Sequence, residues 1–438
     1  MSWSRPARDV AVIGGGWAGM AAAVTLAAAG IPVTVFEAAQ TLGGRARRVV
    51  LDGALLDNGQ HLLLGAYRTT LELIRQVRPD DGANRVLARM PLSLVGPGPF
   101  RLRVARLPSP LHAFVGLLSA RGCTLTERLA VLRAFAGWKR AGWRAAPAAT
   151  VARLLEGQPA SMAARLWTPL CLAALNTPPA AASAQVFLNV LRDALAAERA
   201  ASDLIIPAAD LSALFPDAAA LYVERHGGVV RRGMRIRRLT ARAGMVTLES
   251  AGAPRNFRDV ILAAAPWQTS ALLGALPFAA GVVAQIDRYT YQPITTVYLR
   301  YAQPVPVAFP MQQIDRGPGH WVFDRSTPGA DDALLALVIS ADGPHRRLGP
   351  TELVAALAGQ LRDHLPALKS GATPVWSRII TERRATHAST PERAHPPAGH
   401  LGSGVYLAGD HTDPDYPATL EAAARSGVRA AHAVLEQR

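Results

Sequence analysis

The sequence predicts an α/β fold. A parallel-sheet, dinucleotide-binding unit is drawn from both ends of the chain and interrupted by a discontinuous α+β unit. Three observations carry this. A strand-like run meets a glycine-rich turn at residues 9–19. A second strand-like run meets Gly409-Asp410 near the other end. Between them, apolar residues recur first at helical spacing and then in alternation.

Asp9 to Ile13 is apolar enough for a short buried strand. Gly14-Gly15-Gly16-Trp17-Ala18-Gly19 follows at once, then an Ala-rich helix over Met20 to Ala29. Gly30-Ile31-Pro32 ends it, and Val33 to Glu37 is a second strand. This is G-x-G-x-x-G between strand and helix, with an acid closing the second strand, the Rossmann-type arrangement. Gly14 permits the tight turn, Gly16 lets backbone approach a pyrophosphate, and Gly19 lets helix and strand pack. The helix start at Trp17 and Ala18 offers free N–H groups and positive dipole to phosphates. Glu37 is placed to accept hydrogen bonds from a ribose diol. Leu42-Gly43-Gly44-Arg45 adds a second close backbone approach and a cation. At this point FAD and NAD(P) are both open.

At the far end, Val405 to Ala408 reads as a strand, Gly409-Asp410 as the turn after it, and Ala418-Thr419-Leu420-Glu421 as the opening of a helix to about Leu435. Gly409 admits a cofactor, and the Asp410 carboxylate suits sugar-alcohol hydroxyls. A helix start at Ala418 and Thr419 favours negative charge on a reduced ring by about 1 kcal/mol.

The middle divides in two. Residues 85–205 begin Pro/Gly-rich over Pro91 to Pro110. Helices are then expected at Leu125–Trp138, Thr150–Leu155, Ser161–Leu175 and Ala184–Ala201. Residues 268–395 alternate like an antiparallel sheet, with strands at Thr295–Tyr301, His320–Asp324 and Leu334–Ser340 and a helix at Thr351–Leu365. The expected division is therefore 1–84, 206–267 and 396–438 for the dinucleotide unit, 85–205 for a helical insertion, and 268–395 for a substrate domain.

Composition narrows the classes further. The 438 residues are half hydrophobic and only 18% charged, which excludes disorder or a fibrous repeat for the whole chain. Two cysteines, Cys123 and Cys171, make neither a disulfide scaffold nor a Cys-rich zinc site. Residues 85–165 hold thirteen basic residues against Glu127 and Glu156, +11 of the chain's +15. Such a field suits an anionic membrane, nucleic acid or an acidic substrate. Only Lys139 and Lys369 are lysines, so a composition bias explains the arginines equally well. Leu111, Phe114, Val115, Leu117 and Leu118, flanked by Arg106 and Arg121, fit a membrane interface. Trp17 to Phe36 is broken by Gly30-Ile31-Pro32 and is not read as a membrane span. The expected location is cytoplasmic, at the inner face of the cytoplasmic membrane. Asp203, Asp210 and Asp217 recur every seven residues across the helix breaker Pro207, and no histidine pair has metal spacing, so no metal is expected. There is no P-loop and no G-x-S-x-G turn. No recognition module supports nucleic-acid binding.

Together the glycine turn, the Gly-Gly-Arg segment and the terminal strand–Gly-Asp–helix resemble the FAD-containing amine oxidase and phytoene desaturase superfamily, whose cofactor domain is called GR2-like. Arg225 to Leu239 resembles its adenine-touching segment, with Ile236 as the backbone contact, and Val260 to Pro266 resembles its returning strand. Leu56-Asp57-Asn58-Gly59-Gln60-His61-Leu62-Leu63-Leu64-Gly65-Ala66-Tyr67 is similar to the bacterial squalene-associated family, the hydroxysqualene dehydroxylases. So is Pro417-Ala418-Thr419-Leu420-Glu421-Ala422-Ala423-Ala424-Arg425-Ser426-Gly427. His411 stands where that family is expected to carry an aromatic, usually Trp. The resemblance implies an FAD enzyme that replaces the hydroxyl of hydroxysqualene by hydrogen in squalene and hopanoid biosynthesis, fed by an external electron donor. It implies an acid for the leaving hydroxyl, for which His61 first, then Asp57, Asp410 and His411 are the candidates, and Tyr67, Trp267 and His411 as substrate-lining groups. His61 fixing its own loop is the competing reading. A phytoene-type desaturase, a flavin amine oxidase and a non-enzymatic FAD-containing isoprenoid-binding protein stay open beside it. Oligomeric state is not legible.

Overall fold

The computed structural model describes residues 9–437 except 81, 243, 308 and 326–332. Its central sheet has six strands, in the order Val229–Arg231, Val33–Phe36, Val10–Ile13, Asp259–Leu262, Val405–Leu407 and Gly399–Gly402. The first five are parallel and the last is antiparallel to its neighbour. Three of the strands, Val10–Ile13, Asp259–Leu262 and Val405–Leu407, are buried along their whole length. They read as continuous apolar runs because both faces of the sheet are covered.

Helices Trp17–Ala28, Pro216–Arg225 and Leu420–Glu436 belong to one covering layer. Met20, Val24, Leu26, Val223, Ala424 and Ala430 share its core with Val10, Val12 and Val35. Small residues set the closest approach: a Cβ on Gly427 would stand 2.1 Å from the carbonyl oxygen of Ala18. The opposite face carries an antiparallel meander of Arg238–Arg242, Met245–Glu249 and Arg255–Phe257. Its Leu239, Val246, Leu248 and Phe257 pack with Ala11, Ile13 and Phe36, the alternate residues of the same strands.

A second sheet is antiparallel, in the order Met311–Gln313, Trp321–Asp324, Leu334–Ser340, Tyr291–Arg300 and Trp376–His387. Alternation divides its residues between two cores. Val297, Leu299, Leu335, Leu337 and Ile339 meet Leu353, Leu357 and Leu361 of helix Pro350–His364. Tyr298, Trp321, Phe323, Ala336 and Val338 join the helical insertion instead. The strands expected at 320–324 and 334–340 form with shifts of a residue or less; the one expected at Thr295–Tyr301 starts four residues earlier. The twelve-residue strand Trp376–His387 was not expected, because its polar and charged side chains hide its pattern.

In the insertion, helix Leu125–Arg140 starts where expected, closed by a Thr124–Glu127 capping box. Two expected helices are interrupted. Ser161–Leu175 contains a π turn at Ala163–Trp167, and Ala184–Ala201 passes into a π turn at Arg192–Ala196 and then a 3₁₀ turn. The Pro/Gly-rich stretch is not plain loop: Ser93–Val95 and Arg101–Arg103 pair as a hairpin.

Candidate active site

The N-terminal cradle is built by backbone. Gly14 has φ +111°, and a Cβ there would lie 2.5 Å from the carbonyl oxygen of Ala263. A Cβ on Gly19 would lie 1.9 Å from the carbonyl oxygen of Gly14. Gly16 differs. It precedes helix Trp17–Ala28, bridges to Gly43, and a Cβ on it would meet nothing nearer than the Gly44 Cα at 3.7 Å. At the seam between Gly16 and Gly44 an added Cβ would thus make only ordinary contacts, and both loops are held: the Gly43 N–H donates to Gly15 O and the Trp17 indole N–H to Ala46 O. Glu37 accepts from the N–H groups of Gly15 and Ala39, which holds its carboxylate at the mouth of this turn. Ile236 is buried in the layer over the same strands.

Arg45 crosses to the other end of the chain. Its guanidinium donates to both carboxylate oxygens of Asp410 at 2.7 Å and to the Ala385 carbonyl at 2.8 Å. Burial alone raises the Asp410 carboxyl. Arg45, followed by the neighbouring His411 and His387, outweighs it and holds the group well below the usual carboxylate range. Gly409 has φ +144°, its N–H donates to Ser426 Oγ, and its Cα lies against the His411 ring. Thr419 caps helix Leu420–Glu436 through the Ala422 N–H, with Ala418 beside it. Segments 365 residues apart thus meet at one place, as the sequence led us to expect.

From this place an apolar cavity of about 1350 Å³ extends into the insertion. It exceeds the roughly 300–1,000 Å³ of drug-sized sites. One end holds Arg45, Gly59, His61, Tyr67, Ala418 and Thr419. The middle is lined by side chains such as Leu94, Trp167, Phe187 and Phe323 of the helical and sheet walls. The other end reaches Leu111, Phe114, Leu129 and Arg133.

His61 lines the cavity, and its Nδ1 donates to the Gly59 carbonyl at 3.0 Å, which leaves Nε2 as the second ring nitrogen to act. Burial pushes its pKa below the ordinary histidine value, the Gly59 bond opposing. Tyr67 also lines the cavity, beside Thr419 and Glu421, and burial pushes its phenol up. Glu421 itself accepts from the N–H groups of Thr69 and Thr70 and so fixes the start of helix Arg68–Val77, just after Tyr67.

Other expected site residues lie elsewhere. Asp57 is buried outside the cavity lining. Its carboxylate accepts from the Leu211 N–H at 2.8 Å and pairs with Arg325 at 3.5 Å, while burial pushes its pKa up to about 6. Asp57 and His61 are thus not brought together: Asp57 ends the strand Ala54–Asp57 and turns to Leu211, while the loop that follows carries His61 to the cavity. Trp267 is not cavity-lining either: it meets Tyr291 edge-on at 5.4 Å, with Arg384 4.9 Å over its ring. His411 is fully buried behind Gly409, against Tyr289, and burial lowers its pKa. Tyr416 donates to Asp193 at 2.6 Å and, like Trp267, is not among the cavity-lining residues.

The sequence did not reveal two polar anchors of the cavity. Asn58 Nδ2 donates to Arg45 O and to Glu382. Asn176, in a left-handed conformation with φ 46°, donates to Pro293 O and Thr386 and accepts from the Ala341 N–H. Only the second offered a signal, an Asn ending an apolar helical run. Among the described residues no cluster of metal-ligating side chains forms. Asp203 pairs with Arg89 and Arg199, Asp210 with Arg48, and Asp217 with Arg48 and Arg232.

A glycine turn with an unclashed glycine at the helix start, an acid at the end of the second strand and a terminal Gly-Asp turn fit FAD, and the protein is an FAD-dependent oxidoreductase. The chain matches the flavin containing amine oxidoreductase family over residues 17–435. It is 30% identical to hydroxysqualene dehydroxylase of Sinorhizobium fredii over 443 residues, covering 98% of this chain and 99% of that protein. It is likewise 30% identical to hydroxysqualene dehydroxylase of Rhodopseudomonas palustris over 451 residues, covering 98% of each. Among solved structures, putrescine oxidase bound to putrescine superposes with a TM-score of 0.73 over 98% of this chain and 99% of that one, at 17% identity, which shows a shared fold. The chain belongs to the hydroxysqualene dehydroxylase family within the flavin containing amine oxidoreductases.

Proposed function

We propose that this enzyme reduces hydroxysqualene to squalene. The observation that carries the reading is the cavity of about 1350 Å³, apolar for most of its length and polar where it meets the dinucleotide cradle. A long hydrocarbon with one hydroxyl matches that distribution: its chain leaves water along the apolar walls, and its oxygen stays at the polar end. Two named relatives act on the same compound by their names.

Bound FAD, reduced by an external donor, supplies a hydride. The balance is one hydride and one proton in, one water out, with the allylic carbon–oxygen bond broken. Hydroxide leaves poorly, so a proton must reach the oxygen. His61 is the residue placed for it. Its Nδ1 is tied to Gly59, so Nε2 holds the transferable proton once the ring is charged. Burial makes the charged ring a stronger acid and a less populated one. Arg45 and Asp410 hold each other and so pin together the two distant segments that would bind the cofactor. The hydrophobic walls exclude water, which protects the positive charge that spreads over the allyl system as the hydroxyl departs.

The test is a single turnover. Anaerobic enzyme with dithionite-reduced flavin is mixed with hydroxysqualene, and the lipid extract is analysed while flavin absorbance is followed. Squalene should form in step with flavin reoxidation. No squalene and no reoxidation would overturn the proposal.

A further inference from the structure

The outer end of the cavity has a composition of its own. Leu111 and Phe114 line the cavity, yet they are 52% and 45% exposed. Leu107 and Leu125 extend the same surface beyond the lining, the latter 62% exposed and one helical turn before the lining residue Leu129. Folding has therefore left apolar side chains in water at the place where the cavity opens, between helices Leu111–Leu118 and Leu125–Arg140.

Cations surround this rim. Arg133, Lys139 and Arg140 are exposed and line the opening, and Arg103, Arg106 and Arg121 are exposed nearby. None of the six makes an ion pair with a described carboxylate. Glu127, which lies among them, is committed to the Thr124 N–H and to Ser161. A second cavity of about 410 Å³ lies beside the rim, lined by Arg89, Met90, Pro91, Arg106, Arg199 and Asp203. Leu92, Ser109 and Ala196, each within three residues of that lining, belong to the wall of the large cavity. Arg89 and Arg199 share the Asp203 carboxylate, so Arg106 leaves this cleft with excess positive charge.

We infer that this face docks on an anionic phospholipid bilayer, with the Arg89–Arg106–Arg199 cleft seating a headgroup phosphate and the large cavity opening into the acyl region. The inference rests on the apolar-substrate part of the proposed function. Apolar side chains ringed by cations match the interfacial layer of a membrane, where the first enter hydrocarbon and the second meet phosphate. Nucleic acid would meet the cations but leave Leu107, Leu111, Phe114 and Leu125 against a polar backbone. A water-insoluble substrate reaches the cavity along this route without crossing solvent.

The test uses the full FAD-loaded chain and reads binding, not turnover, so it fails independently of the reaction proposed above. Protein is sedimented with vesicles of phosphatidylcholine alone or with added phosphatidylglycerol. Binding should need phosphatidylglycerol and weaken with salt. Arg103→Gln with Arg106→Gln should lower it by about fivefold for each cation removed. Leu107→Asp with Leu125→Asp should abolish most of it while leaving flavin absorbance and the thermal melt unchanged. Leu221→Asp, on exposed surface of the dinucleotide unit, should bind as wild type. Equal binding to both vesicle types, no binding, variants that bind unchanged, or binding to duplex DNA without binding to vesicles would each overturn the inference.

Discussion

Two glycine-to-alanine changes three residues apart should fail in opposite ways. Gly16 has φ −77° and ψ −179°, a conformation open to alanine, and its Cβ would meet nothing nearer than the Gly44 Cα at 3.7 Å. Losing glycine before a helix costs on the order of 0.5–1 kcal/mol, and the stiffer unfolded chain returns about 0.4–1 kcal/mol. The apoprotein of Gly16→Ala should therefore be as stable as wild type to about 1 kcal/mol. Its methyl group, however, occupies the seam that the pyrophosphate needs. A ligand at one hundred times its dissociation constant adds about 2.7 kcal/mol, and that increment should vanish. At Gly19 the new Cβ would lie 1.9 Å from a backbone carbonyl oxygen, so helix and strand must part, at a cost of about 1–3 kcal/mol or more in the apoprotein itself. Thermal melts of apo and FAD-supplemented protein, with flavin fluorescence to measure uptake, read both effects. Wild-type FAD affinity in Gly16→Ala, or an apo Gly16→Ala that melts as low as apo Gly19→Ala, would refute the reasoning.

Asp410→Asn should release FAD on gel filtration and lower stability by about 3–5 kcal/mol, because it leaves Arg45 facing a neutral partner in a largely buried place. Asp57→Asn should keep turnover, since that carboxylate faces Leu211 and lies outside the cavity lining. Its folded pKa of about 6 lies above the ordinary 3.8, so its favourable contribution is complete below pH 3.8 and lost as pH rises through 6. The variant should therefore lose a pH dependence of up to about 3 kcal/mol across that window, measured by urea unfolding. With the His61 pKa below 6.5, the single-turnover rate should climb as pH falls from 8 toward that pKa and then level, and His61→Gln should give a flat profile at a rate about 10²–10⁴-fold lower. Ala174→Phe, within the cavity wall, should leave flavin spectra intact and cut turnover of the full-length substrate at least tenfold in a product assay.

The parts of the molecule that could be read from the sequence are those whose chemistry is local. Gly14, Gly16 and Gly19 act through backbone geometry within six residues, so the turn declares itself. Gly409-Asp410 and Gly43-Gly44-Arg45 declare themselves in the same way, and only their mutual approach through Arg45 and Asp410 needed the fold. Residue direction was harder. Asp57 and His61 are four apart in one segment, but the strand Ala54–Asp57 turns the carboxylate to Leu211 while the following loop turns the imidazole into the cavity. Trp267 and His411 were expected at the substrate for their aromatic or polar faces. Arg384 and Gly409 claim those faces first. Asn58 and Asn176 act across 324 and 210 residues respectively, a distance over which spacing carries no information.

The cavity wall shows the same division between what pattern encodes and what tertiary contact adds. On its sheet side, strict alternation sends Phe323 and Val338 to the cavity and their neighbours to helix Pro350–His364, a pattern present in the sequence. On its helical side, both π turns face the space: Leu166 and Trp167 from one, Ala194, Leu195 and Ala196 from the other. A π turn accommodates one extra residue, and at 3.6 residues per turn that rotates everything beyond it by about 100°. Without the first, the helix face that carries Trp167 to Phe135, Trp138 and Phe187 would be displaced from the face that carries Cys171 and Leu175 into the same core. The second closes the helix, since Ala197 after it is extended. A uniform helical reading of 161–175 and 184–201 misses both turns, because the contacts that Trp167 and Leu195 make in the core of the insertion are with residues distant in sequence and leave no local pattern.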